Sequence, residues 1–193
     1  MAADSMLIVM FLLVEGFVVC NLFSVQCNAS AEGDALIDVK KMLHDPQNVL
    51  ESWDPSLVNP CTWFHVTCNN NQHVTRVDLA ISDLSGTLSP RIGDLANLQY
   101  LHLFRNSLSG NLPTSLGKLK NLIALDLSGN KFSGKIPTSL AQLSNLRFLN
   151  LSNNQLSGPV PTGGSLSIFG YNSFKGNPGL CGGVVHKPCR RME

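Results

Sequence analysis

Apolar residues recur along the middle of the chain with a constant period of 24 residues. Three columns of them stand at the first, fourth and sixth positions of each copy, namely Val74, Leu98, Leu122 and Leu146, then Val77, Leu101, Leu125 and Leu149, then Leu79, Leu103, Leu127 and Leu151. Because a polar residue separates the second column from the third, each copy predicts a short β-strand with one buried face. One strand cannot bury that face alone, so the copies are expected to stack as coils around a continuous leucine core.

The rest of each copy carries Asn, Leu-Ser-Gly and Pro at fixed offsets. The Asn column is Ser82, Asn106, Asn130 and Asn154, and the glycines are Gly86, Gly110, Gly134 and Gly158. Amide side chains can pair the backbone groups that a curved solenoid leaves without partners, and glycine tolerates the positive φ of a sharp turn. The consensus L-x-x-L-x-L-x-x-N-x-L-S-G-x-I-P is the leucine-rich repeat in its plant-type form. It predicts an α/β solenoid of four repeats over residues 74–169.

The segments before and after the repeats lack the 24-residue pattern and are expected to form caps over the two ends of the solenoid. Within the N-terminal cap, 32–73, apolar residues follow the spacing of an amphipathic helix over 34–44. The two tryptophans, Trp53 and Trp63, follow in the same cap and are expected to cover the first coil. The C-terminal cap, 170–193, begins where the repeat pattern ends.

The first 31 residues are predicted to be a secretory signal peptide. Met6 to Val14 is an uninterrupted apolar run, and Ala29-Ser30-Ala31 supplies small residues for cleavage after Ala31. No Lys or Arg precedes the apolar run, which departs from the usual pattern. An uncleaved signal anchor is the alternative, although Glu15 interrupts any span of about twenty residues. No second hydrophobic segment follows, so we expect no membrane span in the mature chain.

Cleavage would leave four cysteines in an exported chain, Cys61, Cys68, Cys181 and Cys189. Four cysteines permit three connectivities. Coils spaced about 4.8 Å apart would put the two ends of the solenoid about 20 Å apart, whereas a disulfide needs Cα atoms within about 7 Å. Pairing between the ends is therefore excluded. The sequence predicts one disulfide in each cap, Cys61–Cys68 and Cys181–Cys189.

Length and charge narrow the function classes. The chain has 193 residues, a net charge of +1 and only 14% charged residues. Such a length suits one domain and is too short for a kinase or a two-domain dehydrogenase. Removal of the predicted signal would leave 14 basic against 11 acidic residues, with no polybasic run. This distribution offers no electrostatic footprint for nucleic acid.

The sequence contains partial matches to catalytic and cofactor-binding motifs, but each lacks a residue or a setting that the chemistry requires. Gly129 to Lys135 matches a phosphate-binding loop, but Ile136 stands where a Ser or Thr must reach Mg²⁺. Asp78 and Asp126 would lie two coils, about 10 Å, apart, which is a separation that an inverting glycosidase could use. His102 stands between them on an open face, however, and the histidines lack metal-ligand spacing. We expect a protein that is not an enzyme and that binds neither cofactor nor metal.

Several short stretches carry a family resemblance. They are Ser52-Trp53-Asp54-Pro55, Asn59-Pro60-Cys61-Thr62-Trp63-Phe64-His65-Val66-Thr67-Cys68, Asn97-Leu98-Gln99-Tyr100-Leu101 and Asn177-Pro178-Gly179-Leu180-Cys181-Gly182. Over residues 32–189 the chain resembles the ectodomain of plant somatic embryogenesis receptor kinases. It is equally similar in architecture to the short secreted plant leucine-rich repeat proteins. The membrane helix and kinase region of the receptor kinases are missing, so phosphorylation by this chain is not expected.

The resemblance implies a co-receptor that docks beside a larger receptor kinase and closes over its hormone or peptide ligand. The contact residues that it implies are Phe64 and His65 in the cap, Tyr100 and Phe104 in the second repeat, and Arg147 and Phe148 in the fourth. Phe104 stands where that family usually has Tyr. Phe64 could equally pack under Trp63 in the cap.

The predicted strands indicate a similar surface without the resemblance. Their outward positions hold Tyr100, His102, Phe104 and Phe148, with Arg105 and Arg147 beside them. Aromatic and arginine side chains in register have the composition of an interface hot spot, although single exposed aromatics are ordinary surface. Four strands would present about 320 Å², whereas a stable interface takes about 800 Å² per partner. The cap, a lateral edge or a bridging molecule would have to contribute the rest.

Asn150 begins a glycosylation sequon, Asn150-Leu151-Ser152, and a glycan there would cover part of the same surface. Together these features predict a secreted module that binds plant receptor kinases or their ligands in development or defence, as partner or decoy. Its expected location is the apoplast or cell wall, with contact to the plasma membrane only through a partner. A defence-related inhibitor of microbial cell-wall hydrolases and a truncated remnant of a receptor kinase are the alternatives.

Overall fold

The computed structural model describes residues 30–57 and 59–189. One α-helix, α1 (Ala31–Lys41), opens this part of the chain. The strands in chain order are β1 (Leu43–His44), β2 (Val66–Cys68), β3 (Val74–Asp78), β4 (Ser85–Thr87), β5 (Tyr100–His102), β6 (Ser107–Asn111), β7 (Ala124–Asp126), β8 (Lys131–Gly134), β9 (Phe148–Asn150), β10 (Gln155–Pro159) and β11 (Gly179–Cys181). Short 3₁₀ helices close the coils at Pro90–Asp94, Thr114–Lys118, Thr138–Gln142 and Gly164–Ile168.

The strands form two sheets that run along the stack of coils. The first has the order β2-β3-β5-β7-β9, in which β3, β5, β7 and β9 pair in parallel. Its register places Val77, Leu101, Leu125 and Leu149 side by side, which is the second apolar column of the sequence. The cap strand β2 pairs antiparallel with β3 and covers the first edge of this sheet. The second sheet has the order β1-β4-β6-β8-β10-β11.

The core lies between the two sheets and the 3₁₀ helices. No residue of the three apolar columns is more than 3% exposed. Leu95, Leu119 and Leu143, which follow the 3₁₀ helices, are fully buried on the other side of the core. The predicted plant-type leucine-rich repeat solenoid is therefore confirmed.

The Asn column forms a buried ladder that joins one coil to the next. Asn130 shows the pattern: its Oδ1 accepts a hydrogen bond from the Leu108 N–H at 3.0 Å. Its Nδ2 donates to the Leu103 and Leu127 carbonyls at 2.9 and 3.1 Å. Asn106 and Asn154 make the equivalent contacts in the coils on either side. Each amide thus satisfies buried backbone groups that neither sheet pairs.

The N-terminal cap differs from the prediction in the extent of its helix. The helix spans Ala31–Lys41, so the predicted range 34–44 is wrong at both ends. Ser30 caps the start, because its Oγ accepts a hydrogen bond from the Gly33 N–H at 3.1 Å. At the other end, residues 43–44 leave the helix to pair with β4. Cleavage after Ala31 remains a prediction, and it would remove this N-cap together with the first residue of the helix. Residues 1–29 of the predicted signal lie outside the described residues.

Both tryptophans close the first coil. Trp53 is fully buried and Trp63 is 3% exposed, and their rings stack with centroids 5.8 Å apart. The Glu32 carboxylate fastens α1 to the sheet by accepting a hydrogen bond from the Val74 N–H at 2.9 Å. The cap therefore continues the hydrophobic core of the repeats.

At the other end the solenoid continues beyond residue 169 as a shortened coil. Asn177 extends the ladder, since its Oδ1 accepts a hydrogen bond from the Leu156 N–H at 3.0 Å. Phe174 is 1% exposed and fills the place of a column leucine. Strand β11 then pairs in parallel with β10. The repeat pattern hides this coil because Asn177 comes one residue earlier than the period requires and Phe replaces Leu.

Each cap holds one disulfide, as the spacing predicts. Cys61 and Cys68 are bonded with their Cα atoms 5.5 Å apart, and Cys181 and Cys189 with theirs 5.0 Å apart. Within residues 30–57 and 59–189, no helix has both the length and the apolar character that a membrane span needs.

Candidate protein-binding face

Outward side chains of β3, β5, β7 and β9 form one surface, the strand face. Successive residues of a strand point to opposite sides, so the neighbours of each buried second-column residue point outward. The strand face consists of Arg76 and Asp78 on β3, Tyr100 and His102 on β5, Ala124 and Asp126 on β7, and Phe148 and Asn150 on β9. The parallel register aligns these residues in two rows, one from Arg76 to Phe148 and one from Asp78 to Asn150.

An aromatic cluster lies on β5 and in the turn that follows it. The rings of Tyr100 and His102 meet edge-on with centroids 6.3 Å apart, and the centroid of Phe104 lies 6.4 Å from that of His102. Arg76 covers the other side of Tyr100, with its Cζ 4.2 Å from the ring centroid. Cation–π contacts at exposed sites are worth about 0.5–1 kcal/mol, enough to favour one orientation of the ring. The face thus presents preordered aromatic side chains.

Charged groups follow the second row. The Asp78 carboxylate lies 3.4 Å from Nδ1 of His102 and 3.8 Å from the guanidinium of Arg76. Asp126 instead accepts hydrogen bonds from the N–H and the hydroxyl of Ser128, at 3.0 and 2.6 Å. One carboxylate therefore has a guanidinium and an imidazole beside it, and the other is held by neutral donors.

The predicted residues of the last repeat do not all point the same way. Phe148 is 48% exposed on the strand face. The Arg147 guanidinium turns back to donate to the carbonyls of Ser144 and Leu146, at 2.8 and 3.1 Å. In the second repeat, Arg105 is exposed in the turn after β5, where its φ is 54°. Arg147 and Arg105 therefore border the face rather than join the aromatic rows.

The cap brings two predicted residues to the edge of the face. Phe64 is 70% exposed, so it does not pack under Trp63. Its backbone is fixed by the Ser52 hydroxyl, which accepts from its N–H, and by the Trp53 indole, which donates to its carbonyl. The His65 carbonyl accepts a hydrogen bond from the Asp78 N–H at 2.9 Å. This contact places Phe64 and His65 beside the β3 end of the strand face.

Elsewhere in the cap, two carboxyl groups have pKa values below their ordinary range. A hydrogen bond from Lys41 lowers the pKa of Asp38. The backbone hydrogen bond from Ser56 lowers the pKa of Asp54. Both groups lie at the surface, so these contacts keep the carboxylates charged at mildly acidic pH.

Four residues of the face were not among those that the sequence singled out as binding residues or as a glycosylation site. They are Arg76, which stacks on Tyr100, Asp78, which pairs with His102, Ala124, which separates the aromatic rings of its row, and Asp126. All four occupy outward strand positions, so their placement follows from the repeat pattern. Aromatic content alone did not reveal them, because their roles depend on neighbours in adjacent coils.

Asn150, the predicted glycosylation site, is half-buried on the face. Its Oδ1 accepts from the Ser152 N–H at 3.2 Å, and its Nδ2 lies 3.5 Å from an Asp126 oxygen. Glycosylation of this amide stays a prediction.

The strand face is a shallow surface rather than a deep pocket. A surface depression of about 420 Å³ lies away from it, between the 3₁₀ helices around Thr114 and Ser139. In the described part of the chain, no group of three or more His, Cys, Asp and Glu side chains could hold a metal ion. An open face with projecting aromatic side chains suits contact with another macromolecule.

Comparison with known proteins identifies the class of the chain. A profile described as "Leucine rich repeat N-terminal domain" matches residues 29–69, and two leucine-rich repeat profiles match residues 96–156 and 145–170. "Leucine-rich repeat protein 1" of Arabidopsis thaliana is 61% identical over 77 residues, which are 40% of this chain and 35% of that protein. The matched segment thus spans about a third of that relative.

Solved structures match over more of their length. A chain of the BIR3–SERK2 complex from Arabidopsis thaliana is 33% identical, covers 81% of this chain and 96% of its own, and has a TM-score of 0.58. The BIR2 ectodomain from the same plant is 31% identical, with coverage of 82% and 98% and a TM-score of 0.59. The chain belongs to the leucine-rich repeat family. Its fold is that of plant receptor kinase ectodomains, capped by a leucine-rich repeat N-terminal domain.

Proposed function

We propose that the chain is a secreted, non-catalytic module that binds the ectodomain of a plant leucine-rich repeat receptor kinase, with or without that receptor's ligand. The observation that carries the proposal is the aromatic cluster of Tyr100, His102 and Phe104, whose half-buried rings follow one another along the outward side of one strand and the turn after it. Exposed aromatic clusters flanked by arginine are typical of interface hot spots. The solved relatives include a complex between two such proteins, BIR3 and SERK2.

The cap supplies area that the strands lack. Four strands offer about 320 Å² of the roughly 800 Å² that a stable interface takes. Phe64 lies beside the first strand and is 70% exposed, so a partner on the strand face can also contact the cap. This arrangement supports the co-receptor geometry of the somatic embryogenesis receptor kinases. A chain that binds in this way without a kinase would act as a partner or a decoy.

An extracellular location is part of the proposal. Two disulfides close the caps, and such bonds persist in oxidising compartments. The apoplast and the cell wall are compartments of that kind. Passage through the secretory pathway would expose the Asn150 sequon to glycosylation, and a glycan there would compete with a partner for the strand face.

Capture by a panel of partners tests the class of function. The chain secreted from plant or insect cells would be immobilised and offered plant receptor kinase ectodomains, with and without their ligands, and fungal polygalacturonases. We expect retention of at least one receptor ectodomain and of no polygalacturonase, because the face is open and lacks a deep cleft. Retention of polygalacturonases alone would favour the inhibitor, and retention of neither by folded protein would reject the proposal.

A further inference from the structure

A groove runs along β7 across the strand face. Ala124 is smaller than Tyr100 and Phe148 on either side of it, whereas Asp126 and Asn150 are of equal size. The floor consists of Ala124, Asp126 and Ser128, with Tyr100, His102 and Phe104 as one wall and Phe148 as the other. The register sets Ala124 between Tyr100 and Phe148, and Asp126 between His102 and Asn150.

The dimensions of the groove suit one extended chain. The strands that carry the walls are two strand spacings apart, or about 9.6 Å, which leaves about one chain's width between them. Ala124 at the floor is 8% exposed, and the register sets an aromatic residue on each side of it. The Tyr100 wall is held in place by Arg76 on its far side. The groove therefore exists before any partner binds.

One carboxylate oxygen in the floor has capacity for a cation. Oδ1 of Asp126 accepts both hydrogen bonds from Ser128, whereas Oδ2 has only the Asn150 amide at 3.5 Å. Among residues 30–57 and 59–189, no Lys, Arg or His nitrogen pairs with Asp126, although Asp78 on β3 has both Arg76 and His102. A partner's ammonium or guanidinium group would supply the missing counter-charge.

We propose that this groove binds an extended segment of the partner protein with an apolar side chain over Ala124 and a Lys or Arg two residues away over Asp126. Side chains at i and i+2 of an extended chain lie on one side, about 6.6–6.8 Å apart, which matches the spacing of Ala124 and Asp126 on β7. The proposal deepens the proposed function, on which it rests for the nature of the partner.

Arg105 fixes the register of such a segment. Its backbone N–H donates a hydrogen bond to the carbonyl of the floor residue Ser128 at 2.8 Å, so this exposed arginine lies next to the Ser128 end of the groove. A basic side chain is repelled there and favoured at Asp126. The apolar-x-basic pattern therefore has one preferred placement.

A phage-displayed library of random twelve-residue peptides tests the groove on the whole secreted chain. We expect selected peptides to share an apolar-x-Lys or apolar-x-Arg pattern. Ala124→Leu fills the floor, and Asp126→Asn keeps the Oδ1 acceptor but removes the charge. Asp126→Asn should weaken binding of a selected peptide about tenfold or more, as expected for loss of a charge-assisted contact, and Ala124→Leu should weaken it as much by occupying the place of the peptide's apolar side chain. Asp126→Asn carries the test alone if Ala124→Leu does not fold.

Matched substitutions outside the groove serve as controls. Ala96→Leu and Asp83→Asn make the same chemical changes at exposed positions and should leave peptide binding unchanged. The groove proposal would be overturned if the selected peptides lacked the apolar-x-basic pattern, or if wild type and Asp126→Asn bound a selected peptide equally well. Receptor binding that survives both groove substitutions would overturn it too, with the proposed function intact. Selection of patterned peptides without capture of any receptor would leave the groove standing and reject the proposed function.

Discussion

Replacement of Asn130 by alanine is expected to lower the free energy of unfolding by about 3–5 kcal/mol. The side chain accepts a hydrogen bond from the Leu108 N–H and donates to the carbonyls of Leu103 and Leu127. All of these groups are buried, and each buried polar group left without a partner costs about 1–3 kcal/mol. Denaturant titration under non-reducing conditions would measure the change, with the slope checked for a single transition.

Asn121 and Asn145 are matched controls in the same solenoid. Each is exposed and donates one hydrogen bond to a carbonyl of the preceding coil. Alanine at either position should cost no more than about 1 kcal/mol, because water can replace the lost partner. A loss for Asn130→Ala as small as that for Asn121→Ala would show that the ladder does not hold the coils together.

Phe132→Ala is expected to have a similarly large effect for a different reason. Phe132 is fully buried and stands in the column where the other repeats have Leu84, Leu108 and Leu156. Truncation of a buried aromatic ring to alanine costs about 3–5 kcal/mol through lost burial and the cavity left behind. The same denaturant titration measures it.

Phe132→Leu gives the matched comparison. Leucine fits this column in three other coils, so the cost should be below about 1.5 kcal/mol. Equal losses for the leucine and alanine variants would contradict the column as the unit of packing. Such a result would indicate that the aromatic ring of Phe132 makes a contact that leucine cannot replace.

The sequence determined the repeat because one physical requirement recurs in every coil. A buried strand residue, a buried amide and a turn glycine are each needed once per 24 residues, and so the columns stand out. The disulfides followed from the distance between the ends of the stack. The helix ends did not follow, because they depend on Ser30 as the N-cap and on pairing of Leu43 and His44 with β4.

Two other features depend on contacts that a linear pattern does not contain. The last coil is shortened by one residue, so Asn177 falls outside the period although its amide makes hydrogen bonds equivalent to those of Asn154, one coil further on. On the strand face, the groove arises from a small residue, Ala124, between two aromatic ones in adjacent coils. Aromatic residues attract notice in a sequence, and the gap between them is visible only once the register is known.

Titration of a receptor kinase ectodomain against the whole chain and a Tyr100→Ala/Phe148→Ala variant tests the central claim most directly. Biolayer interferometry would give the affinities, and Met42→Ala/Ile168→Ala, which removes two exposed apolar side chains elsewhere, is the control. We predict at least a tenfold loss for the face variant and less than a twofold change for the control, because hot-spot aromatics cost more than about 1 kcal/mol each. Equal affinities for wild type and the face variant, or no binding by the folded chain to any receptor ectodomain, would contradict the account.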